Sequence, residues 1–155
     1  MREGYRYWIG TLAIIFLGVT FIVAGVGKLL AGSSSFEPFV LPVVLSQSFG
    51  EVIYSGLPYM EIIVGGLLIF GVAIRFVASL SALLILCFTA SNLWRISLGV
   101  GAEPCGGCFG VVGGLTAISA LAMNGIMALM VVVIFVCYKG SFFNIYPISL
   151  RKERA

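Results

Sequence analysis

The sequence contains no histidine and no aspartate, and all six of its acidic residues are glutamates. Haem held by histidine, the usual catalytic zinc sites and histidine-based triads each need a residue type that this chain does not have. The lack of aspartate also excludes Mg²⁺ chemistry that depends on it. What remains for chemistry is four cysteines, six glutamates, nine lysines and arginines, and the hydroxyl groups.

Charge is scarce as well. Only 10% of the 155 residues are charged, whereas 61% are apolar. A soluble domain carries about 25% charged residues, so this chain cannot cover the surface of a water-soluble fold of its size. The net charge of +3 is too small and too dispersed for a protein that binds nucleic acid. The composition therefore predicts an integral membrane protein whose surroundings are the lipid bilayer.

Four apolar stretches are long enough for a helix to cross the hydrocarbon core, which takes about 20 residues. They cover residues 8–30, 53–74, 76–98 and 115–138. The first exceeds the apolar part of a signal peptide and is followed by no cleavage motif, so we expect it to stay as a helix. The prediction is an all-α membrane protein, a four-transmembrane-helix bundle that forms one integral membrane domain over residues 1–155. Little more than Arg75 separates the second and third spans, which predicts a tight antiparallel hairpin.

The positive charges predict the orientation, because cytoplasmic segments are enriched in lysine and arginine. With both termini in the cytoplasm, seven of the nine lie on the inner side. These seven are Arg2, Arg6, Arg75, Lys139, Arg151, Lys152 and Arg154. Only Lys28 and Arg95 then lie outside. We therefore expect a multi-pass protein of the cytoplasmic membrane.

Small residues are expected to form the contacts between spans, since lipid is as apolar as leucine and does not drive helices together. The candidates are Gly27 with Ala31, Ala78 with Ala82, Asn124 with Ala128, and a smooth face at Gly65 and Gly66.

With this orientation the unusual polar residues gather at the outer ends of the spans. Lys28, Glu61, Asn92 and Arg95 are candidates for functional residues, because ionisable side chains inside a membrane are costly and usually paired. Lys28 and Glu61 have opposite charges at similar depth on consecutive antiparallel helices, which predicts an ion pair that tunes the local charge or relays a proton. The alternative for Lys28 is that its long side chain reaches out to the interface.

The most specific motif is Cys105-Gly106-Gly107-Cys108, directly before the fourth span. Two cysteines at this spacing close a small ring and form a recurrent redox arrangement, here on the outer side, where disulfides persist. The partial positive charge of a helix N-terminus favours a thiolate. The alternatives are a static disulfide and half of a metal site. A metal is disfavoured because Cys87 lies mid-membrane and Cys137 about 30 Å away at the far end of its helix, so the sequence predicts no metal.

Four segments in this order resemble the MauE/DoxX group of small four-helix membrane proteins, and within it the MauE family of methylamine utilisation. They are FIVAGVGKLL at 21–30, LPYMEIIVGGLLIFG at 57–71, SNLWR at 91–95 and CGGCFG at 105–110. The positions that match the family pattern are Lys28, Pro58, Glu61, Asn92, Cys105, Cys108, Phe109 and Gly110. Many members have one residue between the two cysteines, whereas this chain has two.

The resemblance implies a role in oxidative maturation of an exported protein, such as disulfide formation in methylamine dehydrogenase, alongside a thioredoxin-like partner. The chain would then be a component of a thiol–disulfide oxidoreductase system. Cys105 lies further from the fourth span than Cys108 does, which favours Cys105 as the exposed attacking thiol and Cys108 as the resolving one. No cofactor is evident, and a quinone is a candidate for the final electron acceptor. Proteins similar to vitamin K epoxide reductase add a second cysteine pair in a loop, and residues 31–52 have no cysteine. This favours direct exchange with a separate protein.

Two other functions stay open. A non-catalytic anchor subunit of a respiratory or quinone-linked complex is what DoxD-type relatives suggest. A small-solute transporter is the third candidate, although the chain is short and has no internal repeat.

Overall fold

The computed structural model describes residues 2–31, 47–99, 101–102 and 116–138, and all of its regular elements there are α-helices. They are α1 (Arg2–Ala31), α2 (Gln47–Phe70), α3 (Ile74–Ser97) and α4 (Ala117–Cys137). Each overlaps one of the four predicted spans, and the all-α prediction is confirmed.

Three of the helices are long and apolar enough to cross a membrane within the described part of the chain. The segments are Tyr5–Leu30, Ile74–Ser97 and Ala117–Cys137. In α2 the apolar segment is shorter and covers Ser55–Phe70. The chain is accordingly a helical membrane protein.

The turn between α2 and α3 is tight, as predicted, but it lies earlier in the chain than Arg75. Gly71 has a positive φ of 70°. Its N–H donates to the carbonyl of Leu68 at 2.9 Å, while the N–H of Val72 donates to that of Leu67 at 3.1 Å. This is the Schellman arrangement, in which glycine ends a helix because it adopts the left-handed conformation without strain. The predicted end of the second span at residue 74 is therefore four residues too late, and Arg75 belongs to the first turn of α3.

The helices form a ring in the order α2, α1, α4, α3. The most extensive packing joins α1 to α2 and α3 to α4, while α1 also contacts α4 and α2 contacts α3. Apolar side chains from all four helices fill the interior, including Ile14, Leu17, Phe21, Leu68, Val77 and Ile134. Within a bilayer these contacts stabilise the bundle through close packing rather than by removal from water.

Glycines allow α1 and α2 to approach closely. A methyl group added to Gly18 would lie 2.9 Å from the carbonyl oxygen of Gly65, and one added to Gly65 would lie 2.6 Å from that of Gly18. Gly25 follows Gly18 by seven residues in α1, and a methyl group on Gly25 would lie 2.6 Å from the carbonyl oxygen of Pro58. Residue numbers rise along α1 as they fall along α2, so the two helices are antiparallel. We call the contact formed by Gly18, Gly25, Pro58 and Gly65 the glycine seam.

The predicted small-residue contacts are thus confirmed only in part. Gly65 packs against α1, but a methyl group on Gly66 would meet nothing within 4 Å. Asn124 is buried whereas Ala128 is exposed, because Asn124 faces α3 and Ala128, one turn later, faces outward. Ala78 is buried and Ala82 half-buried. Gly27 is also buried, and the side chain of Ala31 lies outside the described residues.

Candidate functional site

An ion pair lies inside the bundle between α1 and α2. The ammonium nitrogen Nζ of Lys28 donates to Oε1 of Glu61, and each side chain is only 1% exposed. The pair that the sequence predicts is present. The alternative in which Lys28 extends to the interface is wrong. The close approach of α1 and α2 at the glycine seam places the carboxylate of Glu61 within reach of Lys28, so its ammonium group is paired inside the bundle and not hydrated at the interface.

The glycine seam explains why these two side chains meet. Lys28 follows Gly25 by three residues and Glu61 follows Pro58 by three, so each charge lies on the helix face that carries the seam. A methyl group on Gly25 would lie 3.3 Å from Cβ of Glu61. Side chains lean toward the N-terminus of their own helix. In an antiparallel pair Lys28 and Glu61 therefore lean toward each other.

A third helix contacts the pair through an aromatic ring. Nζ of Lys28 lies 4.4 Å from the ring centroid of Phe88 in α3, within the distance at which a cation is attracted to an aromatic face. We call Lys28, Glu61 and Phe88 the charged centre. Sequence reasoning missed Phe88, since one aromatic residue within an apolar run carries no signal alone. The only indication in the sequence is that Phe88 precedes Asn92 by four residues, which places the two on one face of a helix.

The two other predicted polar residues lie further along α3. Asn92 is 2% exposed, and it is one helical turn beyond Phe88 on the interior side. Arg95 is half-buried in the last turn of the helix. Both polar residues therefore lie on α3 between Phe88 and the predicted outer end of that helix.

A polar contact also joins α3 to α4. The amide nitrogen Nδ2 of Asn124 donates to Oγ1 of Thr89 at 3.4 Å, and Asn124 is 7% exposed. Thr89 directly follows Phe88 in the chain. Each of the four helices thus contributes at least one interior polar side chain to this half of the bundle.

The predicted cysteine pair, Cys105 and Cys108, lies outside the described residues. The helix that follows it begins with a defined cap, because the hydroxyl of Thr116 accepts from the backbone N–H of Ser119 at 3.3 Å. Cys87 is an exposed free thiol on α3 and Cys137 a half-buried one at the end of α4. Within the described residues no three cysteine or glutamate side chains lie close enough to hold a metal ion.

The fold and this interior define a class: a small helical membrane protein whose bundle encloses a charged centre. A model of the family described as methylamine utilisation protein MauE matches residues 6–137, which include the charged centre and both cysteines of the CGGC motif. The chain belongs to the MauE family and is a membrane protein of that methylamine-utilisation family. No curated protein and no solved structure matches it.

Proposed function

We propose that this protein exchanges thiol and disulfide equivalents with an exported protein through Cys105 and Cys108. The observation that carries the proposal is the CGGC motif within the residues that match the MauE family. The pair is the one place in the chain where two cysteines are separated by only two residues. The glycines between them have no side chains to shield the sulfurs and tolerate a tight ring.

The chemistry is a two-step exchange. A client thiolate attacks Sγ of Cys105 in the oxidised pair, the Cys105–Cys108 bond breaks, and Cys108 leaves as a thiolate. The second client thiolate attacks the client sulfur of this mixed disulfide and releases Cys105. Two electrons pass from the client to the pair, and the two protons of the client thiols end on Cys105 and Cys108.

The reduced pair must then be oxidised again. With a thioredoxin-like partner, the thiolate of Cys105 attacks the partner disulfide and Cys108 resolves the mixed disulfide, so the two electrons leave with the partner. A quinone is the alternative acceptor, which takes up two electrons and two protons. The family description points to a client in methylamine utilisation, and the small subunit of methylamine dehydrogenase is the client that we propose.

The redox potential of the pair tests this proposal. The purified protein is equilibrated with thiol buffers, and free thiols are trapped and counted. An exchanging pair should titrate above the roughly −300 mV below which structural disulfides typically lie. A potential well below that value would mark Cys105–Cys108 as a structural staple.

A matched pair of variants separates the proposal from its main alternative, a non-catalytic anchor of a respiratory or quinone-linked complex. Cys105→Ser with Cys108→Ser should abolish complementation of a strain that lacks the protein. Cys87→Ser with Cys137→Ser should leave complementation intact, because these thiols lie apart on α3 and α4. Full complementation by the first variant would support the anchor function.

A further inference from the structure

One oxygen of the buried ion pair is left without a hydrogen bond. Oε1 of Glu61 accepts from Lys28, whereas Oε2 has no hydrogen-bond partner among the described residues. Glu61 is 1% exposed, and buried carboxylate oxygens are nearly always bonded to something. An acceptor that is buried, charged and unbonded is a place where a proton binds.

The two oxygens of Glu61 allow proton binding without loss of the contact to Lys28. A proton that binds Oε2 forms one O–H bond and leaves the lone pairs of Oε1 in place. Lys28 then continues to donate to Oε1. No electron moves in this step, and the net charge of the pair rises from zero to +1.

Phe88 stabilises the positive charge of Lys28 that is no longer compensated once Glu61 is protonated. Its ring lies 4.4 Å from Nζ, and the attraction between a cation and an aromatic face is strongest where water is excluded. Among the described side chains, few other charges lie near the pair. Residues 117–137 of α4 carry none, Arg75 is at the opposite end of α3, and the half-buried Arg95 lies in the last turn of α3.

We infer that Glu61 is a buried proton-binding site, with Oε2 as the atom that takes the proton. Lys28 stays in place as the fixed charge, and Phe88 is the positioning residue that holds Lys28 when Glu61 is protonated. The ligand of this site is a proton. The site is built from α1, α2 and α3 and does not depend on thiol chemistry.

Infrared difference spectroscopy of the full-length protein in lipid vesicles tests the inference. Acidification should produce the carbonyl band of a protonated carboxyl group. Since the chain has no aspartate, side-chain bands of this kind arise from glutamate alone. The chain has six glutamates, so Glu61→Gln should remove only the component of this band that comes from Glu61. The matched control Glu153→Gln in the C-terminal segment should leave that component in place. A spectrum without a Glu61-dependent band, from protein whose helical amide signal is intact, would overturn the inference.

Variants of Phe88 test its role separately. At a fixed acidic pH, Phe88→Leu should lower the ratio of protonated to ionised Glu61 about tenfold, which corresponds to about 1.4 kcal/mol. Phe88→Tyr should restore the ratio, because the aromatic face is retained. A purely structural role predicts no change in the ratio with Phe88→Leu, and that result would remove Phe88 from the site.

The cysteine variant keeps this inference distinct from the proposed function. In Cys105→Ser with Cys108→Ser the Glu61 band should persist at full size. Its loss there would contradict a site that works independently of the thiols. Failure of complementation with an intact band would support the thiol function and the proton site together.

Discussion

At the scale of residues, the charged centre shows how a lysine and a glutamate are kept inside a membrane bundle. Their charges compensate each other, and Phe88 covers the ammonium group on the side of α3. Burying an ion pair costs desolvation free energy that the attraction offsets only when both partners are present. The two residues should therefore depend on each other energetically.

A double-mutant cycle measures this dependence. Lys28→Met alone and Glu61→Gln alone should each lower the free energy of unfolding by about 3–5 kcal/mol, because each disrupts a buried pair. The double variant should lose clearly less than the sum of the two. Unfolding of the purified protein in mixed micelles gives the three values, and strict additivity would show that the two side chains are not coupled.

The sequence predicts some of these residues and not others, for a physical reason. Lys28 and Glu61 stand out because a charge within an apolar span needs a partner. Their charges are opposite and lie at similar depth, which predicts that they pair with each other. Phe88 is apolar and gives no such signal. The bond from Asn124 to Thr89 depends on how α3 and α4 are rotated about their axes, which one sequence does not specify.

At the scale of elements, the glycine seam determines how α1 and α2 approach. Two neighbouring glycines of α2 provide a matched test, because Gly65 faces α1 and Gly66 faces open space. Gly65→Ala should lower the free energy of unfolding by about 1–3 kcal/mol, the usual cost of overpacking, since its methyl group would lie 2.6 Å from the backbone oxygen of Gly18.

Gly66→Ala is the control for that prediction. A methyl group there meets nothing within 4 Å, and alanine favours a helix over glycine by about 1 kcal/mol. The variant should be as stable as the parent or slightly more so in the same micelle unfolding measurement. Equal destabilisation by both variants would show that the close approach of α1 and α2 does not contribute to stability.

The helix boundaries show what apolar patterns can and cannot specify. The existence of each helix follows from length and hydropathy, and α4 ends within a residue of its predicted limit. The sequence predicts that the second span ends at residue 74, whereas α2 ends at Phe70. The difference arises because Val72 and Ile74 are apolar, so the apolar stretch of the sequence continues across the turn. The backbone conformation of Gly71 ends the helix instead.

At the scale of the whole molecule, the four helices bring the charged centre and the contact between Asn124 and Thr89 into one half of the bundle. A second set of contacts joins α1 to α4 at the opposite end. Nη2 of Arg6 donates to the carbonyl of Val136 at 2.8 Å, and the hydroxyls of Thr11 and Tyr138 are 3.2 Å apart. The two ends of the molecule thus differ, with an internal ion pair at one and an arginine against the end of α4 at the other.

The asymmetric bundle should have a defined orientation in the membrane. If the termini are cytoplasmic, as the distribution of lysine and arginine indicates, Cys105 and Cys108 face outward. A membrane-impermeant maleimide added to intact cells after reduction should label one or both of them. In a chain without its native cysteines, Lys139→Cys should be labelled only after the cells are permeabilised, because residue 139 follows α4 at the cytoplasmic end. Labelling of that cysteine in intact cells, with none at 105 or 108, would reverse the orientation and place the CGGC motif in the reducing cytoplasm, where a stable disulfide does not persist.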